Sequence, residues 1–284
     1  MTRNNFEFKI AGLTLRGQYY KPENTQAVVI LVHGMGEYSR RYERTVVPTL
    51  LKSSIAVISY DQFGHGHSQG KKGHHPGYNY LLDSISHMIE KAESLFPSKP
   101  VFLYGHSMGG NVVINFTLRR THHLKGTIAT SPFLKLAFDP PGWKMLFGKI
   151  IDRIYPAITM PNELDLNFLS KDQQEIEAYK NDPQIHDKIS TRYSLELMKT
   201  GEWAIQHASS LTTPMLLMHG TEDQITSHLA SKEFAQNSNG QVKFVPIENG
   251  YHELHHDIEK NIVLDQMCNW IQKQIPNLKN KNAM

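Results

Sequence analysis

Val101-Phe102-Leu103-Tyr104-Gly105-His106-Ser107-Met108-Gly109-Gly110 is the stretch that decides the fold. Its first four residues are the apolar, β-branched and aromatic run of a buried strand, and Val112 to Leu118 carries the apolar spacing of a helix. Between them, Gly105-His106-Ser107-Met108-Gly109 has the form of a sharp strand-to-helix turn that lifts a serine hydroxyl above the end of a sheet. Glycines two residues to either side let strand and helix approach where a Cβ would collide. The first expectation is therefore an α/β sheet with Ser107 exposed as a nucleophile at its carboxyl edge.

Upstream, Phe6 to Tyr20 reads as a hairpin turned at Ala11-Gly12, and Ala27 to Val32 and Ile55 to Tyr60 are continuous apolar runs suited to burial on both sheet faces. Helical spacing covers Arg41 to Lys52 and Tyr78 to Leu95. Downstream, Gly126 to Thr130, Met215 to Met218 and Lys243 to Pro246 read as strands. Ile258 to Ile275 reads as a closing helix with Ile262, Met267, Trp270 and Ile271 inward. Strands alternating with helices imply a mostly parallel sheet flanked by helices. From Ser131 to Thr212, prolines 132, 140, 141, 156 and 161 break this rhythm, so a mainly helical lid is expected there, inserted after the sixth strand. Residues 1–130 and 213–284 then form two parts of one core around a lid at 131–212. The Lys- and Asn-rich tail, Pro276 to Met284, is expected to fray.

Composition narrows the function classes. At 284 residues, one core plus an insertion can be buried well. The 30 basic and 27 acidic residues are interspersed, for a net charge of +3, which leaves no basic stripe and argues against a nucleic-acid partner. Cys268 is the single cysteine, so no intramolecular disulfide forms, and its apolar surroundings suggest an inert buried thiol. Met1 to Glu7 is polar, and no run approaches the ~20 apolar residues of a membrane span. A soluble, cytoplasmic protein is the expectation.

A serine hydroxyl needs an imidazole to take its proton and a carboxylate to orient that imidazole. Asp223 follows the run Met215 to Met218 within His219-Gly220-Thr221-Glu222-Asp223, and His252 follows the run ending at Pro246 within Gly250-Tyr251-His252. Singly, Asp223 is a turn residue and His252 is one of 16 histidines. Jointly with the elbow, the chain order Ser107, Asp223, His252 is that of an α/β-hydrolase triad. Acyl transfer also needs donors for a developing oxyanion, here the backbone amides of Met108 and of Met35 in His33-Gly34-Met35-Gly36.

Other motifs carry less chemistry. Asp61 to Ser68 reads as a structural loop, and His65, His67, His74 and His75 lack the paired spacing of a metal site. His252-Glu253-Leu254-His255-His256 satisfies the H-E-x-x-H zinc-peptidase pattern, which works only on a helix. Asn249-Gly250 marks a turn just before it, and no third ligand presents itself. No metal or cofactor is expected.

With these residues assembled, the chain resembles the monoacylglycerol lipases and the related lysophospholipase-like branch of the α/β-hydrolase family over nearly its whole length. The resemblance rests on His33-Gly34-Met35-Gly36-Glu37 with Ser39-Arg40-Arg41-Tyr42, on Asp61 to Ser68, on the elbow through Gly110, and on Tyr251-His252-Glu253-Leu254-His255. Leu169-Ser170, Glu175 to Tyr179 and Asn181-Asp182-Pro183 extend it into the lid. It implies an esterase that forms an acyl-enzyme on Ser107 and releases fatty acid from a small lipid ester, with no cofactor. It further implies that Glu37, Arg41 and His255 line a polar end of the pocket suited to a glycerol head group. Phe133, Leu134, Leu136, Phe138, Trp143, Leu146 and Phe147 would form either an apolar mouth in peripheral contact with a membrane or internal lid packing. Alternatives within the same chemistry are a lysophospholipase, a broad carboxylesterase and a small peptidase. A non-catalytic binding protein would usually lack a triad member.

Overall fold

The computed structural model describes residues 2–275; the expected fraying of Pro276 to Met284 lies outside them. β1 (Asn4–Ile10) and β2 (Leu13–Tyr20) form a hairpin turned through Ala11 and Gly12, both at positive φ as a tight right-twisted hairpin requires. β3 (Ala27–Val32), α1 (Val46–Lys52), β4 (Ile55–Tyr60), α2 (Tyr78–Leu95), β5 (Val101–His106), α3 (Met108–Arg119) and β6 (Gly126–Thr130) then alternate. α4 (Gly142–Ile154), β7 (Thr159–Pro161), α5 (Gln173–Lys180), β8 (Lys188–Ser190) and α6 (Thr191–Gln206) intervene. β9 (Met215–Gly220), α7 (His228–Gln236), β10 (Val242–Ile247) and α8 (Lys260–Gln274) close the described fold.

Eight strands make one sheet in the order β1-β2-β4-β3-β5-β6-β9-β10, parallel from β4 onward. β3, β4, β5, β6 and β9 are buried at every residue, which explains their unbroken apolar sequences. Alternate side chains feed opposite faces: Val28, Ile30 and Val32 pack with α2 and α3, while Ala27, Val29 and Leu31 pack with α1 and α8. β4 lies on one side of β3 and β5 on the other, so the chain reverses its direction of travel across the sheet between them. Loops leaving the carboxyl ends of two such strands diverge and leave a crevice. The loop after β3 begins at His33 and the elbow follows β5, so this switch point brings the loop that carries Met35 and the turn that carries Ser107 to neighbouring strand ends.

Two sequence expectations need correction, and one helix had not been anticipated. The stretch Arg41 to Lys52 is divided into a 3-10 turn, Ser39–Arg44, and α1. Pro48 has no amide to bond the carbonyl of Arg44, so one continuous helix cannot form there. In α8 the buried stripe is Val263, Leu264, Met267, Cys268, Trp270 and Ile271, whereas Ile262 is 57% exposed. Five residues before Met267, Ile262 falls off that stripe on a 3.6-residue repeat. α7 had no strong sequence signal: Phe234 is its only large buried apolar residue, and the Ser227 hydroxyl caps it by accepting from the Ala230 amide.

The segment between β6 and β9 is of two kinds. α6 packs on α3, with Tyr193, Leu197, Ala204 and Ile205 buried, and Asn111 and Asn115 of α3 donate to the carbonyls of Leu197 and Thr200. α4 has no buried residue. Leu134 is fully buried in the core, while Phe138, Trp143, Leu146 and Phe147 are exposed. Among the described residues no helix is long and apolar enough to cross a membrane.

Candidate active site

Ser107 sits between β5 and α3 at φ 53° and ψ −115°, a left-handed conformation that a non-glycine residue adopts only when its surroundings impose it. The surroundings are visible. Its amide donates to Thr130 O on β6 and its carbonyl accepts from the Asn111 and Phe133 amides. A Cβ on Gly105 would strike the backbone of Gly109, and one on Gly109 would strike that of Val32. Both elbow glycines are therefore required for strand and helix to meet.

The three residues anticipated as a triad converge from the carboxyl ends of β5, β9 and β10. The His252 imidazole lies 2.7 Å through Nδ1 from Asp223 Oδ2 and 2.9 Å through Nε2 from Ser107 Oγ. A carboxylate only accepts, so Nδ1 carries the proton and Nε2 is free to accept from the serine hydroxyl. Asp223 Oδ1 is held by the amides of Ile225 and Thr226, and Oδ2 accepts further bonds from Thr226 Oγ1 at 2.9 Å and His219 Nε2 at 3.1 Å. Burial opposes the charge on Asp223, yet His252 and His219 hold its carboxyl well below the usual range. Burial also opposes the His252 cation, but Asp223 overrides it, so the imidazole is more basic than ordinary histidine.

The loop after β3 is fixed one peptide at a time. Gly34 N–H donates to Glu37 Oε1 at 2.7 Å. His33 Nε2 accepts from the Gln62 amide at 2.9 Å, so its Nδ1–H donates to Gly34 O at 2.7 Å. Gly36 N–H donates to His65 Nε2 at 3.1 Å. Because N–H and C=O oppose each other across a trans peptide, anchoring Gly34 O turns the Met35 N–H the opposite way. That amide has no hydrogen-bond partner among the described residues. A Cβ on Gly34 would lie 3.5 Å from Ser107 Cβ, which places the loop against the elbow serine. Met108 opens α3, where the first amides have no intrahelical acceptor. The loop Asp61 to Ser68 is structural as read: Asp61 accepts from Ser39 and from the His67 amide, and His65 steadies Gly36.

The family model described as serine aminopeptidase, S33, matches residues 23–259. The chain belongs to that hydrolase family. An uncharacterized abhydrolase domain-containing protein of Dictyostelium discoideum is 35% identical over 90% of this chain, which spans only 27% of that relative's length. Monoglyceride lipase of Rattus norvegicus is 27% identical over 91% of this chain and 86% of its own. The crystal structure of Paleococcus ferrophilus monoacylglycerol lipase superposes with a TM-score of 0.84 at 29% identity, covering 92% of this chain and 99% of that one.

In this S33-family hydrolase, Glu37, Arg41 and His255 do come together, all buried: Arg41 bonds Glu37, and Tyr42, which also bonds Glu37, stacks on His255. Glu37 and Arg41 are engaged with protein partners: Glu37 accepts from Gly34, Tyr42 and Arg41, and Arg41 grips Glu253 with both terminal nitrogens. His255 stacks on Tyr42 with ring centroids 4.6 Å apart and has neither ring nitrogen hydrogen-bonded. Burial holds it well below the usual histidine range, hence neutral. The H-E-x-x-H segment runs through turns, not a helix, with His252 in the triad and Glu253 on Arg41, so it fails as a zinc motif. Sequence reasoning missed Thr226 and His219 on Asp223 and Glu253 on Arg41; the first two lie within four residues of Asp223, a spacing that a search for its supporting donors would have found.

Proposed function

We propose that this S33-family hydrolase cleaves monoacylglycerol-like lipid esters through an acyl-enzyme on Ser107. The observation that carries the chemistry is the unbroken chain Ser107, His252, Asp223 beside the free Met35 amide. The monoglyceride lipase of Rattus norvegicus and the Paleococcus ferrophilus monoacylglycerol lipase support the substrate class.

In this reading Ser107 Oγ attacks the ester carbonyl as its proton moves to His252 Nε2, and the Met35 and Met108 amides hold the oxyanion. Collapse expels the alcohol, which takes the proton from His252. Water then attacks the acyl-enzyme, gives its proton to the same nitrogen, and frees the fatty acid and Ser107. Asp223 keeps the imidazole oriented and stabilises its cation. Of the three proposed head-group residues, His255 is the one with no side-chain hydrogen bond at all to the described protein. We assign the lid to the part of residues 131–212 that stands off α3, and lipid-surface contact to α4, where Trp143, Leu146, Phe147, Ile150 and Ile154 share an exposed face beside Lys144, Lys149 and Arg153.

The test is fatty-acid release from a long-chain monoacylglycerol, a lysophospholipid and a short p-nitrophenyl ester. Wild type should prefer the monoacylglycerol, and Ser107→Ala should lose about 10⁴- to 10⁶-fold in kcat while folding normally. Preference for the lysophospholipid would move the reading to a lysophospholipase, and an active Ser107→Ala would refute the mechanism.

A further inference from the structure

The loop that offers the Met35 amide and the loop that carries His252 meet through one buried ionic bridge. Glu37 lies two residues beyond Met35 and Glu253 is next to His252. Arg41 joins them: Nη1 donates to Glu37 Oε2 at 2.8 Å and to Glu253 Oε1 at 2.7 Å, while Nη2 donates to Glu253 Oε2 at 2.9 Å. Glu37, Arg41 and Glu253 are each at most 5% exposed. The free end of the bridge reaches the loop backbone, because Glu37 Oε1 accepts from Gly34 N–H at 2.7 Å and from the Tyr42 hydroxyl at 2.7 Å.

We propose that Glu37, Arg41 and Glu253 form a positioning strut that sets the oxyanion loop and the catalytic-histidine loop at a fixed separation, without touching substrate. This rests on the serine-ester reading above and replaces a substrate-contact role for Glu37 and Arg41 with a mechanical one.

Three observations support it. Both hydrogens of Arg41 Nη1 are taken by carboxylates of the protein and Glu37 Oε1 already holds two donors, so the atoms that join the two loops are committed to the bridge, while Arg41 Nε and the second Nη2 hydrogen carry no bond to the described protein. The guanidinium fork on Glu253 is bidentate, the geometry that fixes direction as well as distance. A second set of bonds holds the same histidine loop from behind: the His252 and Glu253 amides donate to Phe168 O and Leu169 O. A nucleophile, a base and an oxyanion donor on three separate loops lose rate steeply when any one moves by an ångström. The strut supplies that constraint between two of the three.

The experiment compares wild type, Glu253→Gln and Arg41→Lys on a long-chain monoacylglycerol and on p-nitrophenyl butyrate, which has no glycerol. Active sites are counted by the p-nitrophenol burst. The strut predicts that Glu253→Gln lowers kcat per active site by about 10- to 100-fold on both esters by the same factor, with KM within about twofold of wild type. Arg41→Lys, a point charge that cannot grip both carboxylates, should fall at least as far and by equal factors on both. A rise in KM confined to the monoacylglycerol would overturn the strut in favour of a head-group contact. Folded variants with unchanged kcat per burst site would reduce the bridge to stability alone. If Glu253→Gln does not fold, Arg41→Lys and Glu253→Asp carry the same readout. If wild type cleaves only the butyrate, the lipid reading fails, while the loss on that ester still tests the strut.

Discussion

α4 and the stretch around α5 belong to the same insertion between β6 and β9, yet they stand in opposite relations to the site. α4 buries no residue and turns its apolar side chains outward. Around α5, Phe168 and Leu169 accept from the His252 and Glu253 amides, His186 donates to Gly36 O, and Ser170 and Lys171 bond the fully buried Asp257. One half is therefore an outward-facing surface and the other is part of the wall of the candidate site. An insertion read as one unit can hold two jobs, and burial distinguishes them where sequence position does not.

The largest expected break in this comparison comes from Asp257→Ala. Its carboxylate accepts from Ser170 Oγ and the amides of Lys171, Tyr251 and Ile258, so removal orphans donors on both sides of the joint. Unfolding free energy should drop by about 3 kcal/mol, read from the denaturant midpoint, and both esters should lose rate together. Next in size is Trp143→Ser with Phe147→Ser on α4. Stability should stay within about 0.5 kcal/mol. Hydrolysis of monoacylglycerol in vesicles should fall about 10-fold or more, because two large apolar side chains no longer enter the lipid, while p-nitrophenyl butyrate is cleaved as before. Equal losses on the two substrates would erase the distinction between the halves. The smallest effect is in pH. Protonated His252 cannot take the Ser107 proton, and Asp223 raises its basicity despite burial, so kcat/KM should fall as pH drops through a midpoint above the ordinary histidine value of about 6.5. The α4 variant should keep that midpoint, and a displaced one would mean that α4 reaches the triad.

Much of the core and the triad could be read directly from sequence because both are written locally. Fully buried parallel strands are unbroken apolar runs, and a nucleophile elbow needs its glycines within five residues of chain. Asp223 was legible because it follows such a strand, β9, and His252 because it follows the carboxyl end of β10, a partly buried edge strand. The Arg41–Glu253 bridge was not, since its partners are 212 residues apart and Glu253 was disguised within a zinc-like pattern. Likewise Leu134 and Trp143 are equally apolar letters nine positions apart, and only the packing of α6 on α3 decides that one enters the core while the other faces outward. α7 escaped notice because a short helix over a sheet needs only one large side chain, Phe234, to hold it.

The peptide-by-peptide anchoring of the loop after β3 has a consequence for inhibitors. Glu37, His33 and His65 fix three successive peptide planes through bonds made within the protein, so a tetrahedral mimic meets a donor already aimed and no loop has to order around it. Ligands that place an anionic oxygen between Met35 and Met108 should therefore gain affinity without an entropic penalty from that side of the crevice, and small boronic or phosphonic acids become the natural starting scaffolds.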